Sequence, residues 1–335
     1  MELSLDARRS RCYDICKAVT MILVILGHAT IFYTPDGAME PARASRAMAG
    51  VAEYIYSFHM PLYVLLSGCV WSYCVRHGKY REAWPFLAGK AKRLLIPYLT
   101  VGLLMVAPVV VFCGYTEEDF FGYALNGVLL GRDARHLWFL LVLFLLYLTT
   151  LAARPLVKKN ALLTLPFCVA LFLVANFMPQ VFKLRTACKY ALFFYLGVCA
   201  DRYYPLLEFL ARRLRFVLPV LFVLLLGSVF WNPNFLTQTA YTLIGMAAML
   251  GACSLLTGSE RLQKNRAYQY LRKNGFGLYL FHAMVIYLLF HFLGGTQIPP
   301  VLLALLSAAA GTLASVALVA LLRKAHLGFI LGETR

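Results

Sequence analysis

The chain has 335 residues, of which 61% are hydrophobic and only 14% charged, and its mean hydropathy is +0.71. A soluble fold carries about 45–50% apolar and about 25% charged residues, so this composition excludes a soluble enzyme, a disordered tail and a DNA-binding module. The 32 Lys and Arg outnumber the 15 Asp and Glu, for a net charge of +17, which in so apolar a chain points first to membrane topology and not to nucleic acid.

A helix that crosses a bilayer needs about 20 mostly apolar residues. In chain order the candidates are 17–34, 55–75, 94–113, 137–153, 161–178, 190–204, 216–231, 238–257, 277–293 and 299–322. Each run is continuously apolar and does not alternate, which predicts helices and not barrel strands. The weakest is 190–204, whose apolar run is short and contains Gly197. No internal repeat, low-complexity tract or Gly/Ser linker interrupts the sequence. The expected fold is therefore all-α, a polytopic membrane helix bundle of about ten transmembrane helices, with residues 1–335 forming a single integral membrane domain.

The first run, flanked by Arg8, Arg9 and Arg11, also has the outline of a signal peptide. It lacks a small-residue cleavage site and contains a histidine, which favours a retained helix. The nine cysteines are scattered without a CxxC pair and read as core-filling thiols. No metal site is expected.

Charge sets the predicted orientation. Counting alternate loops from the N-terminus, one side collects 25 Lys and Arg and the other 7. The positive-inside rule then puts both termini in the cytoplasm of a cell-membrane protein and favours an even number of spans. The acids divide eight inside and seven outside, so the whole +17 falls on the inner rim and the outer face is neutral.

Ionisable groups inside a membrane are costly and mark function by default. Here they are few. Asp14 and Lys17 sit at the inner mouth of the first helix, and His28, His59, His282 and His291 lie in or near the spans. On the first helix Lys17 precedes His28 by 11 residues, within about 20° of three full turns. Asp14 precedes it by 14 residues, about 40° from four turns. All three therefore share one face, with the histidine about 16 Å deeper. A charged mouth leading to a histidine, whose unperturbed pKa is about 6.5, suits general base work. A histidine hydrogen-bonded between helices as packing glue is the other reading of the same spacing.

The second span carries Phe58-His59-Met60-Pro61 and Ser67-Gly68. Running outside to inside, it places His59 near the external surface. Pro61 frees a backbone carbonyl and is expected to kink the helix and open a cavity. Ser67 and Gly68 suit close helix contact. After this span, Lys90-Ala-Lys92-Arg93 lines an inner membrane edge, where basic groups meet anionic lipid or a phosphorylated ligand. Arg93 is the better fitted to bidentate phosphate recognition.

Together these segments resemble the acyltransferase-3 family of integral membrane acyltransferases, in its sugar O-acetylase branch. RCYDICKAVTMILVILGH (11–28) is similar to the family's opening pattern, a basic residue 11 positions before a histidine. SFHMPLYVLLSG (57–68) resembles its second-helix signature. KAKRLLIPYL, HLWFLLVLF, FFYLG and GFGLYLFHAMV resemble later landmarks in the same order. The resemblance covers nearly the whole chain. It implies transfer of an acyl group, usually acetyl, from cytoplasmic acetyl-CoA to a hydroxyl of an envelope glycan or lipid-linked sugar.

By the same resemblance His28 is the catalytic histidine, as general base or acyl carrier, with Asp14 paired to Lys17. Lys17 stands where the family more often has arginine, and the family's Arg-x-x-Arg pair reads Lys90-x-x-Arg93. The expected donor site is Lys17, Arg93, Lys90 and Arg11. The expected acceptor site is His59, Glu53, His136 and Ser67, and His282 is placed near the donor's path. The rival reading is a transporter or flippase of a lipid-linked sugar, without chemistry.

Overall fold

The computed structural model of the chain describes residues 4–217, 220–221, 223–224 and 235–333. These residues are mostly helical, with no strand among them. The principal helices are α1 (Leu5–Thr30), α2 (Arg46–Tyr56), α3 (His59–Arg76), α4 (Ala83–Phe112), α5 (Phe120–Leu129), α6 (Arg135–Lys159) and α7 (Ala161–Phe177). They are followed by α8 (Leu184–Arg202), α9 (Tyr204–Arg213), α10 (Phe235–Leu255), α11 (Glu260–Lys264), α12 (Arg266–Leu293) and α13 (Pro300–Lys324). Among the described residues, seven helical segments are long and apolar enough to cross a membrane, and they match seven of the ten expected spans. Of the other three, 161–178 becomes the 17-residue apolar α7, at the short end of what spans a bilayer. The 190–204 candidate lies within α8, a helix of 19 residues, and 216–231 lies mostly outside the described residues.

The first helix begins twelve residues earlier than its apolar run predicts. Ser4 caps it, its hydroxyl accepting from the Ala7 N–H, and Asp6 sits in the first turn, where a carboxylate complements the helix dipole. The basic flank is helical because its charges find partners. Asp201 of α8 is fully buried and accepts two hydrogen bonds from Arg76 of α3, at 3.0 and 3.1 Å, and a third from the Tyr13 hydroxyl at 3.0 Å. Arg9, also buried, lies 3.8 Å from the same carboxylate. One carboxylate thus ties α1, α3 and α8 at the basic end. A buried charge is tolerable only when paired and hydrogen-bonded in this way.

Gly197, which weakens the sequence signal for α8, is what seats that helix. A Cβ on Gly197 would lie 1.9 Å from the Leu65 carbonyl oxygen, and one on Gly68 would lie 1.9 Å from that of Phe194. The backbones of α3 and α8 meet across this reciprocal pair of glycines, the small-residue contact used where helices cannot rely on hydrophobic exclusion from water.

Pro61 breaks the second span instead of kinking it. Proline lacks the N–H that would bond to residue 57, and its ring clashes with that carbonyl. The helix accordingly stops at Tyr56 and restarts at His59. The freed Ser57 carbonyl accepts a 2.7 Å hydrogen bond from the Thr242 hydroxyl of α10. Central to the bundle is α1, which packs against α2, α3, α10, α12 and α13.

Candidate functional site

Three histidines from distant parts of the chain meet near the end of α1. His28 occupies the last turn of that helix. Its ring centroid lies 5.0 Å from that of His282, on α12, and 6.1 Å from that of His136, while His136 and His282 are 5.7 Å apart. His136 stands in a 3₁₀ turn at the start of α6, directly after Arg135, whose φ is +45°. That left-handed conformation is costly for arginine. It is held by the Arg135 guanidinium, which donates to the Tyr115 carbonyl at 2.7 Å and pairs with Asp133 at 3.4 Å.

Backbone carbonyls assign the tautomers of two of these rings. Nε2–H of His136 donates to the Leu280 carbonyl at 3.0 Å, and Nδ1–H of His282 donates to those of Leu278 and Tyr279 at 2.9 and 3.0 Å. The remaining nitrogens, His136 Nδ1 and His282 Nε2, are buried acceptors without a partner among the described residues. His28 Nδ1 is 3.2 Å from the Tyr56 hydroxyl. A Cβ on Gly27 would meet the Tyr56 ring at 3.2 Å, so this glycine makes room for the tyrosine beside the histidine. His59 lies beyond Tyr56, ring centroids 4.8 Å apart, buried and donating from Nδ1 to the Ile55 carbonyl. Among the described residues no group of three His, Cys, Asp or Glu is arranged to hold a metal ion.

Toward the basic end of the bundle, the cluster adjoins a cavity of about 450 Å³. Lys17, Lys90, Arg93, Arg272 and Lys273 line it. Asp14 lies 4.0 Å from Lys17 and 3.6 Å from Arg272. The Lys90 ammonium sits 4.0 Å from the centre of the Tyr147 ring and 5.0 Å from that of Tyr80, and the Arg93 guanidinium lies 5.2 Å from that of Phe276. Cations held against rings keep their N–H groups available to an anion. The inner end of the cavity is aromatic. Tyr63 and Tyr279 each lie 5.6 Å from Phe139 between centroids, and Tyr279 lies 5.7 Å from His136. Tyr279 also donates a hydrogen bond to the His136 carbonyl. This one residue therefore lines the cavity and touches the histidine cluster.

The expected site residues divide among several places. Lys17, Lys90 and Arg93, which the resemblance places together, line one basic cavity, with Asp14 paired to Lys17. Ser67 lines that cavity too, its hydroxyl donating to the Tyr63 carbonyl, so it lies with the donor residues and not with the acceptor residues. Arg11 points elsewhere, donating to the Thr257 carbonyl and lining a separate cleft, because six residues from Lys17 it falls about 120° around the helix. His136 is buried beside His28. Glu53 is exposed on α2, and His291 packs against Phe112 and Tyr115. Tyr56, Tyr279, Arg272 and Lys273 were not legible as site residues. Only the three-residue interval from Tyr56 to His59, one helical turn, and the inner-rim charge of Arg272 and Lys273 hinted at them.

The model of the acyltransferase-3 family, an acyltransferase domain, matches residues 11–323. The chain belongs to the acyltransferase-3 family. It is thus a multi-pass membrane protein of an O-acyltransferase family and an acyl-transferring enzyme. No curated protein and no solved structure matches this acyltransferase.

Proposed function

We propose that this acyltransferase moves an acetyl group from acetyl-CoA to a hydroxyl of an envelope carbohydrate, with His28 as general base. The observation that carries the proposal is the meeting at Tyr279 of a five-cation cavity and a three-histidine cluster. Coenzyme A is a polyanion joined to a thioester by a long thin arm. Its phosphates match Lys17, Lys90, Arg93, Arg272 and Lys273, and the rise of about 16 Å from Lys17 to His28 along α1 suits the arm. On the positive-inside rule this basic end faces the cytoplasm of a cell membrane, where acetyl-CoA resides.

The chemistry needs one proton to move twice. With Nδ1–H donating to the Tyr56 hydroxyl oxygen, His28 Nε2 keeps its lone pair. It takes the acceptor hydroxyl proton as that oxygen attacks the thioester carbonyl carbon. The C–S bond breaks, and the imidazolium returns the proton to the departing thiolate. The orphan nitrogens of His136 and His282 supply two fixed acceptors for neighbouring sugar hydroxyls, which orients the nucleophile. His59 stands behind Tyr56 and holds it in place.

The test is thiol release from acetyl-CoA in membranes holding the protein, with and without envelope glycan. Acceptor-dependent release in the wild type, lost in a correctly inserted His28→Ala protein, is the expected result. Release that survives His28→Ala overturns the base assignment. Glycan translocation without thiol release marks a flippase instead.

A further inference from the structure

A second basic site lies outside the acyl-transfer path. Arg8, Arg11, Arg212, Arg215 and Lys264 line a cleft of about 940 Å³ where α1, α9 and α11 approach the end of α10. Two carboxylates offset them in part. Glu208 lies 2.8 Å from both Arg8 and Arg212, through the same oxygen, and Glu260 lies 3.2 Å from Lys264. Arg11 and Arg215 have no carboxylate partner among the described residues. Arg11 donates to the Thr257 carbonyl, and Arg215 sits 4.8 Å from the centre of the Phe216 ring. Five cations against two anions leave an excess of three, converging from three chain segments on one concavity.

Two of the helices that wall this cleft, α9 and α10, together with the end of α8, also wall an apolar groove of about 450 Å³. From α9 and its end come Leu207, Leu210 and Leu214, alternating with the cleft's Arg212 and Arg215, and from α10 comes Ala247. Leu210, Leu214 and Tyr203, which also lines the groove, are each more than 40% exposed. On α10, Ala247 lies seven residues before the cleft's Ser254, about 10 Å along the axis. A polar, positive concavity thus has an apolar one next to it, since Ala211 and Leu214 of the groove adjoin Arg212 and Arg215 of the cleft, and Gly251 of the groove stands three residues before the cleft's Ser254. That is the shape and charge order of one amphiphile, with its anion at the membrane edge and its chain toward the membrane interior.

We propose that this cleft and groove form a binding site for one anionic phospholipid. Its phosphate is held by Arg11, Arg212 and Arg215 and one acyl chain lies along Leu210, Leu214 and Ala247. Arginine suits the role because its planar fork engages phosphate oxygens bidentately. A free phosphate would satisfy the cleft but leave the groove exposed, and a zwitterionic lipid would fill the groove but bring its own cation into a positive site. The proposal does not rest on the acyl-transfer reading.

The test uses the full-length protein in mild detergent, with bound lipid counted by native mass spectrometry in mixed phosphatidylglycerol and phosphatidylcholine micelles. One phosphatidylglycerol per chain is expected to be retained at least about tenfold in preference to phosphatidylcholine. Arg212→Gln with Arg215→Gln removes the preference, while Ala247→Phe, which blocks the groove and spares the arginines, removes retention itself. Both variants bind acetyl-CoA as the wild type does. Five outcomes overturn the proposal: equal retention of the two lipids; phosphatidylglycerol retained by both variants; displacement by millimolar inorganic phosphate, which assigns the cleft to a free anion; and displacement by acetyl-CoA or loss of acetyl-CoA binding in the arginine variant, either of which assigns it to the donor.

Discussion

The Tyr56 hydroxyl lies 3.2 Å from His28 Nδ1, and the two rings meet edge to face at 6.2 Å between centroids. This contact joins α2 to the end of α1, where the His28 ring also lies 5.0 Å from that of His282 and 6.1 Å from that of His136. Removing the hydroxyl should leave the histidine present but poorly held. Tyr56→Phe is expected to lower the acyl-transfer rate about tenfold, the worth of one net hydrogen bond. His28→Ala should lower it by at least about 100-fold. Initial rates of thiol release with both variants at saturating donor check the order. Equal losses would mean that Tyr56 acts in the chemistry itself.

On the proposed mechanism the basic cavity binds the donor and the histidine cluster does the chemistry. Arg93 and Arg272 line the cavity, and neither touches a histidine of the cluster among the contacts described. Arg93→Ala and Arg272→Ala are each expected to raise the KM for acetyl-CoA about tenfold. The KM for the acceptor and kcat at saturating donor should change little. Arg93→Lys keeps the charge without the fork and should fall between, which a KM series reads directly.

The contact between α3 and α8 admits no side chain. Because a Cβ on Gly197 would overlap the Leu65 carbonyl oxygen at 1.9 Å, Gly197→Val must push two backbones apart. A loss of several kcal/mol is expected, above the range of about 1–3 kcal/mol for ordinary overpacking. Yield of monodisperse protein and the thermal midpoint in detergent measure it. Gly258→Ala, where a Cβ would meet nothing, serves as the neutral comparison.

Asp201 holds three basic-end helices through Arg76, Tyr13 and Arg9. Asp201→Ala takes the carboxylate from Arg76 and leaves the buried Arg9 with Asp6 alone, 3.2 Å away. Breaking one side of a buried ionic network costs about 3–5 kcal/mol. A lowered thermal midpoint is expected, and adding Arg9→Met should recover part of it. A midpoint unchanged by Asp201→Ala would show that the network contributes nothing net.

Local features of the chain carried the membrane class, most of the helices and one face of the site. Apolar runs of sufficient length must be helical in a bilayer, because no water there satisfies an open backbone. Lys17 and His28 share a face because both belong to one regular helix, whose period is fixed. Lys90 and Arg93 reach the same cavity by the same logic, one turn apart. For Arg11 that periodicity pointed away from the cavity, toward the cleft it occupies.

What joins separate segments was decided by tertiary structure alone. His136 and His282 are 146 residues apart in the chain and reach His28 only because α12 packs beside α1 and the turn at the start of α6 is hydrogen-bonded to α12. The Thr242 hydroxyl answers the Ser57 carbonyl left by Pro61, and Gly197 proves to be a point of closest approach rather than a weak spot in a span. Residue type and helical period determine what a segment is and which way its side chains point. Which other segment stands opposite depends on steric fit, such as a glycine beneath a carbonyl, and on the need of every buried polar group for a partner. Both are properties of pairs of distant residues, which no single stretch of sequence contains.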